Sequence, residues 1–303
     1  MENITKKQEL LSVIGLILAA LFWGISYPLT KYTENCPTFY VISIRFAIAA
    51  AALALFNFRS LSKINRETLK NALILSFIIS AMYIFNIVGI KYTTSVRASF
   101  FTTVSFLITP VLNRIAYKVP ISGIIGKSAA ICLIGTLMLC YTPDMGGLVI
   151  NPGDLLCICA SISGSINIIF MEHMSRSSEI DNTAFTILLM AFVSLWGTLI
   201  ALARGEFAYN ALVTSSEMTA IVIMGLFCSA GAFTLQIHSE KYVPSNRVGI
   251  IFSLEPASGC ILSVLLLHES MSLIGWGGAL VIMISIFYME IASNRTADKL
   301  KSV

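Results

Sequence analysis

Apolar residues along this chain fill runs of about twenty, nearly every position in a run being nonpolar, with short polar breaks between. A helix needs about 20 residues to cross a hydrocarbon core, so the runs predict membrane spans at roughly 10–31, 38–58, 70–90, 95–117 and 121–141. A polar break rich in glycine and proline, Thr142 to Asn151, comes next. The pattern then resumes at roughly 152–172, 183–203, 217–237, 246–267 and 272–292. Barrel strands are about ten residues of alternating polarity, so the runs are helical. The expectation is an all-α polytopic membrane protein of ten transmembrane helices, five before the break and five after it.

Composition agrees. The 303 residues are 56% hydrophobic and 12% charged, with a mean hydropathy of +0.84. Soluble domains carry about a quarter charged residues, so lipid must be the solvent for much of the surface. Lys6 and Lys7 precede the first run, which resembles the later ones and reads as a first span rather than a cleaved signal. Counting Lys and Arg with the N-terminus in the cytoplasm puts fourteen inside: Lys6, Lys7, Arg59, Lys63, Arg66, Lys70, Arg114, Lys118, Arg176, Lys241, Arg247, Arg295, Lys299 and Lys301. Four fall outside (Lys31, Lys91, Arg97 and Arg204), while Arg45 and Lys127 lie within spans. This positive-inside bias predicts both termini in the cytoplasm and a plasma-membrane protein. The seven cysteines have no metal-ligand spacing and read as small core or lipid-embedded thiols. The net charge of +4 says little about nucleic acid, which is not an expected partner, while its placement speaks for a bilayer.

A repeat runs through the pattern. Lys91, Tyr92, Ser95 and Arg97 recur 150 residues later as Lys241, Tyr242, Ser245 and Arg247, and the register continues to Ser122/Ile124 and Ser272/Ile274. The units 11–141 and 152–292 therefore read as two copies of one five-helix unit in a single membrane domain. An odd number of spans reverses the second copy, which predicts inverted repeats with a pseudo-twofold axis in the membrane plane and a solute site near the midplane.

The first span reads Ala20-Leu21-Phe22-Trp23-Gly24-Ile25-Ser26-Tyr27-Pro28, followed by Lys31, Pro37 and Arg45-Phe46; the ninth reads Pro244-Ser245-Asn246-Arg247, then Leu254-Glu255-Pro256, and ends at His268-Glu269. In order and placement these motifs resemble the EamA-type members of the drug/metabolite transporter superfamily, over about residues 11–292. The resemblance implies two inverted five-helix repeats and movement of small metabolites by alternating access. It places the first, third, fourth, sixth, eighth and ninth helices around the cavity, with the fifth and tenth peripheral. The chain departs from the family pattern after the fourth span, where Val119 stands at the position matching Glu269. Glu255 likewise has no acidic twin, Ser105 being at that place.

Several residues are candidates for the pathway. A carboxylate inside a span is unfavourable by ~2.5–3.5 kcal/mol on insertion scales, so Glu255 is either a proton or cation site, or a structural acceptor for Arg247 or for amides freed by Pro256. Pro28, Pro110 and Pro256 interrupt helices and offer gating points, though kinks are common in membrane helices. Trp23 and Tyr27, one turn apart, form an aromatic pair suited to a ring or a cation, or simply to packing. Polar stripes at helical spacing place Ser76, Ser80, Tyr83 and Asn86 on the third span, and Ser95, Ser99, Thr102 or Thr103, and Thr109 on the fourth. Ser163 and Asn167 share a face of the sixth span, and Ser229 and Gln236 lie on the eighth. Such stripes mark faces turned from lipid, either toward a solute or toward interhelical hydrogen bonds. Asn86 and Gln236 are repeat mates. Arg97 and Arg247 open spans at opposite mouths, as gate latches with Glu240 or Glu269 or as snorkelling side chains. Arg45 requires a partner the sequence does not name. Gly275 and Ala279 form a small-residue ridge for tight packing or a homodimer.

The histidines (His173, His238 and His268) are far apart, no ligand cluster or P-loop occurs, and no filter or signalling segment is evident. No cofactor is called for. The reading is a secondary transporter, with export of an amino acid or related metabolite as the favoured activity. Uptake or exchange of an amine, quaternary ammonium or nucleotide-type solute is the alternative, and a non-transport membrane protein is the more distant one.

Overall fold

A computed structural model describes residues 6–93, 98, 101, 104–118, 120–139, 141, 152–177, 179–252, 254–267 and 272–301. Arg97, Ser99, Thr102, Thr103, Val119, Cys140, His268, Glu269 and the 142–151 break lie outside them. The described residues form helices α1 (Lys6–Tyr32), α2 (Thr38–Phe56), α3 (Arg66–Tyr92), α4 (Ser105–Tyr117), α5 (Gly123–Leu139), α6 (Pro152–Ser175), α7 (Asn182–Ala203), α8 (Ser215–Glu240), α9 (Ser245–Ile251), α10 (Leu254–Leu267) and α11 (Leu273–Lys301). No strand is found among them. Seven segments are long and apolar enough to cross a membrane, α9 and α10 together making one; shorter apolar helices lie at Gly123–Gly135 and Leu273–Met289.

Helix ends follow local chemistry. Asn65 caps α3 by accepting from the Thr68 amide at 2.7 Å, and Asp181 caps α7 by accepting from the Ala184 amide at 2.9 Å. Thr214 and Glu217 form a reciprocal capping box on α8. Gly205 ends α7 with φ +68, a conformation that favours a residue without Cβ. Large apolar side chains such as Phe56, Ile115, Leu265, Leu280 and Phe287 are exposed around the outside, as expected where lipid is the solvent.

Helix pairing repeats with the 150-residue offset. α3 packs on α6 as α8 packs on α1, and α4 packs on α6 as α10 packs on α1. α2 pairs with α7, and α5 with α11; under the same exchange each of these pairs maps onto itself. Both are antiparallel. Along α2 the partners run backward, Phe39 N–H reaching Glu206 at 3.0 Å and Ser43 Oγ lying 2.6 Å from Thr198 Oγ1. Along α5, the Ser128 carbonyl accepts from Ser285 Oγ at 2.7 Å while Gly135 abuts the Gly278 carbonyl. Gly275 and Ala279 are buried within the chain, so the small-residue ridge serves this internal seam and not an exposed face.

One feature had no sequence signal. The eighth apolar run is not a uniform α-helix; Met224–Gly231 is a π-helical turn. Widening the helix there redirects backbone carbonyls sideways. The Cys228 carbonyl accepts from Trp23 Nε1 at 2.9 Å and from Arg45 Nη2 at 3.5 Å.

Candidate functional site

A cavity of about 810 Å³, solvent-open space included, sits among α1, α3, α4, α6 and the α9–α10 junction. Its walls come from the later turns of α1 (Trp23, Ser26, Tyr27 and Thr30) and of α3 (Met82, Tyr83 and Asn86). Ala160, Ser161, Gly164, Asn167 and Ile168 of α6 face them, with Ser105, Phe252 and Glu255 completing the ring. The cavity therefore lies toward the Tyr32 end of α1 and the Tyr92 end of α3.

Neighbouring side chains and one backbone carbonyl brace the aromatic wall. Trp23 is held by its bond to Cys228 and by edge-on contacts to Phe233 and Phe252, at centroid distances of 5.4 and 4.8 Å. Tyr27, 5% exposed, donates its hydroxyl to Glu255 Oε1 at 2.8 Å. Tyr83 packs edge-on against Phe46 at 4.9 Å.

Glu255 makes no ion pair among the described residues, and its second carboxylate oxygen has no hydrogen-bond partner among them. Arg247, the sequence-level candidate partner, pairs instead with Glu9, Nη1 to Oε1 at 2.6 Å. Asn167 is buried with its Oδ1 unpartnered, and the Asn86 amide has no partner among the described residues. An unmet buried acceptor is unfavourable by ~1–3 kcal/mol, a deficit that a ligand donor would remove.

Other candidates lie elsewhere. Ser163 donates back to the Cys159 carbonyl at 3.2 Å and is not in the wall. Gln236 is fully buried and donates to Glu240 Oε1 at 2.7 Å. The repeat mates Asn86 and Gln236 thus have different surroundings, one open to the cavity and one packed away. Glu255 and its non-acidic mate Ser105 line the same cavity. Pro256 is buried in the first turn of α10. Thr103 and Arg97 are outside the described residues.

Beyond the cavity toward the Lys6 end, polar side chains close the structure. Asn113 Nδ2 donates to Ser245 Oγ at 2.7 Å and to Asn246 Oδ1 at 3.0 Å. The Ser245 amide donates to Glu172 Oε2 at 2.8 Å, and Glu172 pairs with Arg176 at 2.9 Å. With the Arg247–Glu9 pair, these bonds tie α1, α4, α6 and α9 together.

Ser26, Thr30, Ser105, Ser161 and Phe252 belong to the wall without having been singled out as solute contacts. Ser26 and Thr30 carried a usable signal, since each lies three residues after an aromatic candidate on one helix face. Among the described residues no three His, Cys, Asp or Glu side chains gather in a way that would hold a metal ion.

Known proteins resemble this chain over nearly its full length. An uncharacterized transporter of Archaeoglobus fulgidus is 25% identical over 289 residues, spanning 94% of this chain and 87% of that protein. The uncharacterized transporter YetK of Bacillus subtilis is 23% identical over 311 residues, spanning 97% and 91%. A solved structure described only as the crystal structure of a protein superposes with a TM-score of 0.74 at 15% identity, covering 94% of this chain and 98% of its own; it speaks to the fold alone. Residues 10–141 and 151–291 match the EamA-like transporter family, and this multi-pass, helical membrane protein belongs to that family.

Proposed function

We propose that the chain is a secondary transporter that exports an amino acid or a closely related small metabolite across the plasma membrane by alternating access, and that it is a permease rather than an enzyme. Ten spans in two inverted five-helix repeats, 11–141 and 152–292, provide the frame. The antiparallel packing of the exchange-related pairs α2–α7 and α5–α11 supports the inversion, because a twofold axis relating antiparallel helices lies perpendicular to them. With the basic loops placed inside, both termini are cytoplasmic and the cavity faces out. The Asn113–Ser245–Glu172 network and the Arg247–Glu9 pair then form the closed inner gate, and Pro256, in the first turn of α10, is a gating point.

The carrying observation is the set of unengaged polar groups on the cavity wall: the second oxygen of Glu255, Oδ1 of Asn167 and the Asn86 amide. They line the same cavity as Trp23, Tyr27 and Tyr83. A carboxylate and two amides suit an amine-bearing solute, and the aromatic wall suits its side chain. A simple amine or quaternary ammonium solute is the second reading, favoured by the same carboxylate.

The test is efflux from proteoliposomes loaded with labelled amino acids, amines and nucleosides, with and without a proton gradient. Export of amino acids, slowed by Glu255→Gln, is the expected result. Movement of no solute would overturn the transporter reading, and an unchanged rate and pH dependence in Glu255→Gln would remove that residue from the site.

A further inference from the structure

Arg45 lies in the middle of α2 and is 2% exposed. No carboxylate pairs with it among the described residues. A buried cation normally finds an anion, because desolvation opposes an uncompensated charge. Its close bond, 2.8 Å, runs from Nε to Ser229 Oγ, and its guanidinium carbon lies 4.8 Å from the centroid of the Tyr83 ring. The two terminal nitrogens point to the cavity wall. Nη1 donates to Ser26 Oγ at 3.3 Å and to Met224 Sδ at 3.7 Å, and Nη2 to the Tyr83 hydroxyl at 3.4 Å and the Cys228 carbonyl at 3.5 Å. Every contact of these two nitrogens with oxygen is longer than the usual 2.7–3.2 Å, and none of the partners carries a charge to offset the guanidinium.

The direction of these bonds matters. Each hydroxyl oxygen accepts from the guanidinium, which turns its own proton elsewhere. Neither Ser26 nor Tyr83 donates its hydroxyl to any acceptor among the described residues, and both side chains line the cavity. Two free O–H donors, polarised by the same cation, suit an oxyanion. Glu255, held by Tyr27, supplies a negative pole in the same cavity.

We propose that Ser26 and Tyr83, charged from behind by Arg45, form an anion-accepting pole opposite the Glu255 pole, so that the solute carries a carboxylate as well as an amine. The inference rests on the transporter reading above and deepens it, naming the groups that meet the solute's carboxylate and so favouring the amino acid over the simple amine. Arg45 is a positioning residue here; Ser26 and Tyr83 make the contact.

The test uses full-length protein in proteoliposomes and three matched pairs, each an amino acid and the amine left by its decarboxylation: leucine with isopentylamine, phenylalanine with phenethylamine, and lysine with cadaverine. A carboxylate held by charge-assisted bonds is worth roughly 10- to 100-fold in affinity, so the parent should export the acid of at least one pair with a KM lower by that factor. Ser26→Ala and Tyr83→Phe leave the buried cation in place and should each raise the KM for the acid several-fold without changing that for the amine. Arg45→Gln should bring the two to near parity, and Arg45→Lys should restore part of the preference. Equal handling of acids and amines by the parent, or equal losses for both in Ser26→Ala and Tyr83→Phe, would overturn the inference and leave the transporter reading standing. Transport of no member of any pair would overturn both.

Discussion

Gly24 sets how closely α1 and α10 approach along the cavity wall. A Cβ at this position would lie 2.0 Å from Ser258 Oγ, 2.9 Å from Ser258 Cβ and 3.0 Å from the Glu255 carbonyl oxygen. In Gly24→Ala, Ser258 must rotate away and lose its 2.9 Å bond to that same carbonyl. The backbone must also open by about 0.4 Å to reach ordinary contact. Overpacking plus the lost bond sums to about 2–4 kcal/mol of destabilisation. The seam also carries Tyr27 and Gly259, whose own added Cβ would meet the Tyr27 ring at 3.0 Å, so the opening stretches the 2.8 Å Tyr27–Glu255 bond. Chemical unfolding in detergent, followed by circular dichroism, should show a lower midpoint, and solute affinity should fall with it. The double variant Gly24→Ala/Ser258→Gly removes both Ser258 contacts and leaves only the carbonyl, so it should recover at least half of the loss. A Gly24→Ala protein as stable as its parent, or a double variant no better than the single, would refute this account of the seam.

Asn167→Leu removes an unsatisfied buried acceptor, so it should lower solute affinity roughly tenfold while leaving the unfolding midpoint unchanged or higher; equal loss of both would assign Asn167 to packing. Asp181 lies outside the spans: burial pushes its carboxyl up, but hydrogen bonds from Lys63 and from the Ala184 and Thr183 amides outweigh this and hold it below its ordinary value. A depressed folded value means stability present above the unfolded value of 3.8 and lost as pH falls through the lower folded value. Acid titration of unfolding should show that loss, and Asp181→Ala should remove it together with about 1 kcal/mol of capping. Arg247→Gln breaks the pair with Glu9 and should speed labelling of a cysteine introduced at Ser239 by a reagent added at the Lys6 end; an unchanged rate would show that the pair does not hold that end shut.

Much of the protein is legible in the chain because its causes are local. Length and continuity of the apolar runs set the helices, since backbone polar groups in lipid must be satisfied within one segment. The 150-residue echo predicts a duplication; polar or aromatic residues at helical spacing pick out Trp23, Tyr27, Tyr83, Asn86 and Asn167, and the carboxylate within a span picks out Glu255, and all six line the cavity. The same signal also picked Ser163 and Gln236, which are satisfied by a backbone carbonyl and by Glu240. Local pattern marks a side chain as turned from lipid and says nothing of whether it meets a cavity or another helix.

That choice belongs to the tertiary structure. The cavity lies at one end of the bundle and interhelical bonds join the other, so Asn86 lines the cavity while its repeat mate Gln236 is packed against Glu240. The π turn at Met224–Gly231 brings the Cys228 carbonyl to Trp23 and Arg45, a placement with no mark in the run of residues. Arg45 read as a cation in need of a partner; only packing reveals that it meets hydroxyls and a ring rather than a carboxylate. The sequence by itself determined the helical segments and their solvent, because these follow from backbone satisfaction and apolar length. The fold decided which polar groups remain unpaired, because pairing depends on distances between segments far apart along the chain.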